Sequence, residues 1–179
     1  MKTATENLEN DHNYILQLTE TMEKIAELEE PHVADLEEVV DLIRNFADGM
    51  HHTKEENFLF PLLGEKGFSK EQGPVAVMLN EHTQGRNYVK GMIENISLHK
   101  EGDKTALGKV YANMSGYAEL LRNHITKENN ILFRMADNVF SEQEQQDLLT
   151  EFVKIENANL PAGRQSFISR IEKLAGNYL

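Results

Sequence analysis

Apolar side chains recur along this chain at steps of three and four, the period of a helix that buries one face. The first stripe, Leu8, Ile15, Met22 and Ala26 with His12 and Thr19 in the same frame, predicts a helix over about Thr5 to Glu29. The second reads Leu36, Val39, Ile43, Ala47, His51, Glu55, Phe58 and Leu62, over about Ala34 to Leu63. The third reads Met78, His82, Gly85, Val89, Met92 and Ile96, over about Pro74 to His99, with Pro74 suited to a first turn. The fourth reads Val110, Met114, Tyr117, Leu121, His124, Glu128, Ile131 and Met135, over about Thr105 to Asn138. Ser141 with Glu144 three residues on is a capping box that opens a fifth helix ending near Asn159. Pro161-Ala162-Gly163 separates it from a last helix, about Arg164 to Tyr178. No run alternates with the period of a strand, so the class is all-α. Long helices joined by short turns predict an up-down-up-down antiparallel four-helix bundle over residues 1–140. Residues 141–179 are expected as a C-terminal helical extension packed on its outside.

The polar members of these stripes repeat. His51-His52-Thr53-Lys54-Glu55-Glu56-Asn57-Phe58-Leu59-Phe60 aligns without gaps to His124-Ile125-Thr126-Lys127-Glu128-Asn129-Asn130-Ile131-Leu132-Phe133. Asn10-Asp11-His12 matches Asn80-Glu81-His82, and the separations agree: 39 residues from His12 to His51, 42 from His82 to His124. Each half therefore brings one His on its first helix and His-x-x-x-Glu on its second. Helix two offers His51/Glu55 and His52/Glu56; the repeat and the apolar stripe both select His51 and Glu55. Residues four apart stack on one helix face, so His12, His51, Glu55, His82, His124 and Glu128 point to the bundle axis. Two carboxylates in an apolar interior each cost several kcal/mol without compensation, about the scale set by ion desolvation. No Lys or Arg shares these stripes, whereas a pair of cations would neutralise both carboxylates. A Glu from each half can bridge the ions, with imidazoles as terminal ligands. Such a set without thiolate suits iron, with manganese possible.

Composition narrows the classes further. With 30 acidic against 18 basic side chains, the net charge is -12, which repels phosphate backbones and argues against nucleic acid as a partner. The absence of Cys excludes disulfides, iron–sulfur clusters and thiol nucleophiles. No stretch is apolar enough to cross a membrane and the N-terminus has no secretory pattern, so the expected location is cytoplasmic.

His12, His51 with Glu55, His82, and His124 with Glu128 resemble the hemerythrin-like (HHE cation-binding) family in its bacterial branch. The resemblance covers about residues 5 to 138. It implies a four-helix bundle around two iron ions bridged by two carboxylates and an oxo or hydroxo group. It also implies oxygen binding, sensing, or handling of nitric oxide, peroxide or iron. The family's oxygen carriers have five His ligands, two of them four apart on the third helix, where this chain has Met78. His52 is the candidate for the fifth ligand, with a supporting or surface role as the alternative; His32 is a weaker candidate, and His99, at a helix end, is read as structural or exposed. Gly85, one turn after His82, leaves room for a small ligand. Tyr117 either donates a hydrogen bond to bound peroxide or is ordinary core, and Arg86 either supports the site or pairs on the surface.

The expected function is a non-haem di-iron protein that binds oxygen or a similar diatomic as carrier, store or sensor. The alternative is a di-iron redox enzyme (ferroxidase, peroxidase-like or nitric-oxide-reducing) or an iron-handling or iron-sensing protein. The family's iron-cluster-repair members carry a Cys-containing N-terminal domain, so a repair role is the lesser expectation for a chain without Cys. A ferritin-like site would need Glu three residues before its His, which neither His82 nor His124 has. The expected partners are oxygen, another diatomic or peroxide, with no nucleic acid or membrane, and the chain as monomer or homodimer.

Overall fold

A computed structural model describes residues 3–158 and 163–179, and among them there is helix and no strand. Helix α1 spans Ala4–Ala26, opened by a capping box in which Thr3 accepts from the Glu6 amide and Glu6 accepts from the Thr3 amide. A second rod begins as α2 (Val33–Leu42), passes through two π-helical stretches, π1 (Ile43–His52) and π2 (Glu55–Leu59), and ends as α3 (Phe60–Glu65). Helix α4 spans Pro74–Lys100 behind Gly73, whose φ of 80° favours glycine. Helix α5 (Ala106–Lys127) continues through π3 (Glu128–Leu132) into α6 (Phe133–Val139). Helices α7 (Glu142–Ala158) and α8 (Gly163–Ala175) complete the chain. Ser141 and Glu144 make the expected capping box before α7. The expected break at Pro161-Ala162 and the end of the fifth helix at Asn159 lie outside the described residues.

Pairs across neighbouring rods run in opposite sequence order. Between α1 with the turn after it and α5–α6, Leu28 meets Tyr111, His12 meets Asn129 and Thr5 meets Asp137. On the second rod and α4, Glu37 meets Lys100 and Glu56 meets His82.

The interior has two apolar clusters with a polar layer between them. The larger gathers Ile15, Met22, Leu36, Phe46, Met92, Met114 and Leu121, and α8 adds Phe167, Ile168, Ile171 and Leu174 to it. The smaller holds Leu8, Leu59, Phe60, Met78, Leu132 and Phe133, with Leu148 and Phe152 from α7. The C-terminal helices thus share both clusters with the first four rods. His12, His51, His82 and His124 form the layer between, each almost fully buried.

The π-helical stretches move the inner face by one residue. A π turn closes i to i+5 and so inserts one residue relative to an α turn. Past Glu55 the buried positions are Leu59, Phe60 and Leu63, where the stripe predicts Phe58 and Leu62. Past Glu128 they are Leu132, Phe133 and Ala136, while Ile131 is 51% exposed. The same widening reduces the angle between successive residues, so adjacent His51 and His52 are both buried. Gly49 permits it: a Cβ there would lie 2.9 Å from the Arg44 carbonyl oxygen, five residues earlier.

Candidate metal centre

Five imidazoles and two carboxylates converge in the polar layer. His52, Glu55, His82 and His124 each offer an atom within 4.8 Å of the others, and so do His12, His51, Glu55 and Glu128. Glu55 belongs to both groups. Its Oε1 lies 3.6 Å from His51 Nε2 and its Oε2 lies 3.4 Å from His82 Nε2. Glu128 spans the halves in the same way, with Oε1 3.2 Å from His124 Nε2 and Oε2 3.2 Å from His12 Nε2. Each carboxylate therefore presents one oxygen to each half.

The outer nitrogens fix the inner ones. His12 Nδ1 lies 2.7 Å from Asn129 Oδ1, His82 Nδ1 2.7 Å from Glu56 Oε1, and His124 Nδ1 2.9 Å from Glu81 Oε2. His52 Nδ1 lies 3.1 Å from Asp48 Oδ1, while His51 Nδ1 stands 3.5 Å from Asp11 Oδ2 without an aligned hydrogen bond. A ring that donates through Nδ1 leaves Nε2 as a lone pair facing inward. His12 and His51 then point Nε2 atoms at each other across 3.0 Å, and His82 and His124 across 3.2 Å. Two lone pairs at that distance repel unless a proton or a metal ion lies between them.

The carboxylates make the same demand. All four oxygens of Glu55 and Glu128 are buried without an aligned hydrogen bond, their contacts to the imidazoles being close but poorly directed. In the metal-free chain, protons carry this load. Burial lowers His124, but the charge of Glu128 and the contacts of Glu128 and Glu81 outweigh it and push its pKa up to about 10. His12 and His82 are raised against their own burial by Glu128 and by Glu55 with Glu56, respectively. His52 moves the other way, well below the usual imidazole value, through burial and the neighbouring charge of His82. Buried carboxylate oxygens without aligned hydrogen bonds, beside inward-facing Nε2 atoms that become lone-pair donors once they lose their protons, are a donor set for divalent or trivalent cations, and the residues fit bound metal.

The repeat extends to these outer contacts, which the stripes alone did not reveal. Asp11 and Glu81, each just before the first-helix His of its half, face His51 and His124. Lys54 and Lys127, equivalent in the repeat, pair with Asp11 and Glu81. Glu56 and Asn129, each just after the bridging Glu, face His82 and His12. The signal was in the matched ten-residue segments, since Lys54 aligns with Lys127. The halves differ in exposure. Lys54 and Asp11 are fully buried, and Glu156 of α7 approaches Lys54 at 2.6 Å while Arg164 of α8 approaches Asp11 at 2.7 Å. Lys127 and Glu81 remain partly open to solvent.

The remaining candidates also have places. Arg86 pairs with Asp48 and Glu56, the acceptors of His52 and His82. Gly85 and Tyr117 both line a cavity beside the layer, and the Tyr117 ring would lie 3.3 Å from a Cβ at Gly85. Met78 packs in the smaller apolar cluster, His32 is exposed, and neither His32 nor His99 joins the layer. No helix among the described residues is long and apolar enough to cross a membrane.

The description Hemerythrin HHE cation binding domain matches residues 3–136. An uncharacterized protein of Mycobacterium tuberculosis (strain ATCC 25618 / H37Rv) is 24% identical over 184 residues, 98% of this chain and 71% of its own length. An iron-sulfur cluster repair protein of Edwardsiella ictaluri is 31% identical over 100 residues, 54% of this chain and 44% of its own length. Its counterpart in Escherichia coli (strain K12 / DH10B) is 32% identical over 89 residues, 48% of this chain and 40% of its own length. No solved structure matches the chain. With the matched region enclosing every member of the buried layer, the chain belongs to the hemerythrin HHE cation-binding domain family.

Proposed function

We propose that this chain holds two iron ions at the midsection of an up-down-up-down four-helix bundle and binds oxygen or a similar diatomic there. His52, His82 and His124 would hold one ion and His12 and His51 the other, with Glu55 and Glu128 bridging both. The observation that carries this reading is the unequal division of imidazoles, three beside two, around two carboxylates that reach both halves. Two iron ions so held would supply electrons and a free coordination position for a small ligand. The protein's share is positional. Nδ1 acceptors orient the rings, and the apolar clusters above and below keep bulk water out. His52 completes the inventory of five imidazoles that Met78 leaves short on the third helix.

Likeness to iron-sulfur cluster repair proteins favours a second reading, a redox or iron-handling role. One experiment separates the two. The iron-loaded chain is reduced without oxygen, its metal content measured, and oxygen then admitted. An absorption change that reverses on removing oxygen supports binding. Rapid, irreversible oxidation with turnover of peroxide or nitric oxide supports the redox role. Fewer than two metal ions per chain at saturation sinks both. The chain is read as acting in the cytoplasm, as monomer or homodimer, without nucleic acid or membrane.

A further inference from the structure

The two halves of the layer share one outer arrangement but differ in its reach and its neighbours. In one half, Glu81 Oε2 accepts from His124 Nδ1 at 2.9 Å, and Lys127 pairs with Glu81. In the other, Asp11 stands where the repeat has Glu81, one methylene shorter. Its Oδ2 lies 3.5 Å from His51 Nδ1, which is left as a buried nitrogen without a hydrogen-bond partner among the described residues. Such a group is costly in a packed interior, so what holds Asp11 short of it matters.

Both oxygens of Asp11 are already engaged. Oδ2 accepts from Lys54 Nζ at 2.9 Å, and Oδ1 accepts from Arg164 Nε at 2.7 Å. Lys54 is shared in turn with Glu156 Oε1, at 2.6 Å. Glu156 belongs to α7 and Arg164 to α8, both beyond residue 136, where the family match ends. Glu81 has no such neighbours: among the described residues its charged partners are His124 and Lys127. Asp11 and Lys54 are fully buried, where charges are screened far less than in water.

We infer that Arg164 and Glu156 tune His51 through Asp11, in opposite senses. Arg164 offsets the charge of Asp11 and holds it away from His51 Nδ1. Glu156 draws Lys54 from Asp11 and leaves more of that charge to His51. An imidazole whose Nδ1 donates to a stronger acceptor is a better donor at Nε2. The C-terminal helices therefore set metal affinity at the half that holds His12 and His51 more than at the half that holds His82 and His124. The effect on metal rests on the two-ion reading; the effect on His51 stands on the contacts alone.

The test uses the full chain, with cobalt(II) as the probe metal followed by calorimetry and visible absorption, and with nitrogen NMR of labelled histidines in the metal-free chain. Arg164→Met leaves the Asp11 carboxylate less offset and should tighten one of two cobalt binding steps about threefold to tenfold. Glu156→Gln should weaken the same step by a similar factor, at or below the scale for loss of a direct outer partner. The visible bands of that ion should shift in both variants, and the His51 Nδ1 resonance of the metal-free chain should move in opposite directions. Arg170→Met is the control. Arg170 is also on α8 but pairs with Glu38 and Asp41, so its loss should loosen the helix without moving either cobalt step or that resonance. Arg164→Met and Glu156→Gln acting in the same direction would mean that they only hold α7 and α8 in place, which overturns the inference. So does an effect of Arg170→Met as large as theirs, or an unchanged His51 resonance. A chain that binds fewer than two cobalt ions counts against the two-ion reading, and the His51 resonance then decides the inference alone.

Discussion

An imidazole offers a metal one nitrogen, and the partner of the other nitrogen decides which. His52 depends on Asp48 in this way, 3.1 Å from its Nδ1. His52→Ala should weaken iron binding at the three-imidazole half at least about tenfold, and Asp48→Ala should weaken it by about tenfold, the usual scale for supporting contacts. Chelator competition and the visible spectrum check both; unchanged stoichiometry and spectrum in His52→Ala would show that it is no ligand. Protons report on the same layer. His124, raised to about 10, holds its proton at neutral pH in the metal-free chain, and His12 and His82 are raised in the same direction, so iron loading should release protons, and affinity should fall as pH is lowered. Calorimetry in two buffers of different ionisation enthalpy measures that release. For His124 the folded value of about 10 lies above the unfolded one of about 6.5. Its contribution to the metal-free fold is therefore complete below about 6.5 and lost as pH rises through about 10, a decline that thermal melts should show. His12, His51, His82 and His124 were legible as inward-facing because repeat and stripe coincide. The partnering of Glu56 with His82 was not, because it crosses between helices.

At the scale of elements, the π stretches and the C-terminal pair determine how the layer is held. Gly49→Ala forces a Cβ to within 2.9 Å of the Arg44 carbonyl, which a backbone atom cannot yield cheaply. A loss of about 1–3 kcal/mol in urea unfolding is expected, the usual cost of overpacking, with a disturbed iron spectrum as π1 shifts His52. Lys54 reaches Asp11 of α1 and Glu156 of α7 from full burial, with the Asn7 side chain 3.0 Å away. Lys54→Met leaves Asp11 facing Glu156 with only Arg164 to offset it. A destabilisation of about 3 kcal/mol is expected, as for a buried ion pair that loses one partner. Loss of less than about 1 kcal/mol would mean that the pair is effectively solvated. Periodicity predicts these helices to within a few residues, yet it cannot reveal a π turn. Phe58 and Ile131 fit the α period as well as Leu59 and Leu132 do.

For the molecule as a whole, the polar layer divides two apolar clusters, and in the metal-free chain the only side chains within it that offset its carboxylates are imidazoles that take up protons. Chelation of iron should lower Tm by about 5 to 10 °C, because a ligand at a hundred times its Kd adds about 2.7 kcal/mol to a fold of this size. Calorimetric scans with and without chelator measure it. An unchanged Tm would show that protons satisfy the layer as well as metal does.

The sequence alone determined the all-helical class, the duplicated His and Glu pattern and the face on which it lies, since period and repeat are properties of local order. Only the tertiary structure decided that Lys54 is buried, that α7 and α8 reach Asp11 and Lys54, and that His52 turns inward beside His51. Those outcomes depend on which residues distant in sequence meet, and on single inserted residues in helical turns. Neither leaves a trace in the spacing of apolar side chains.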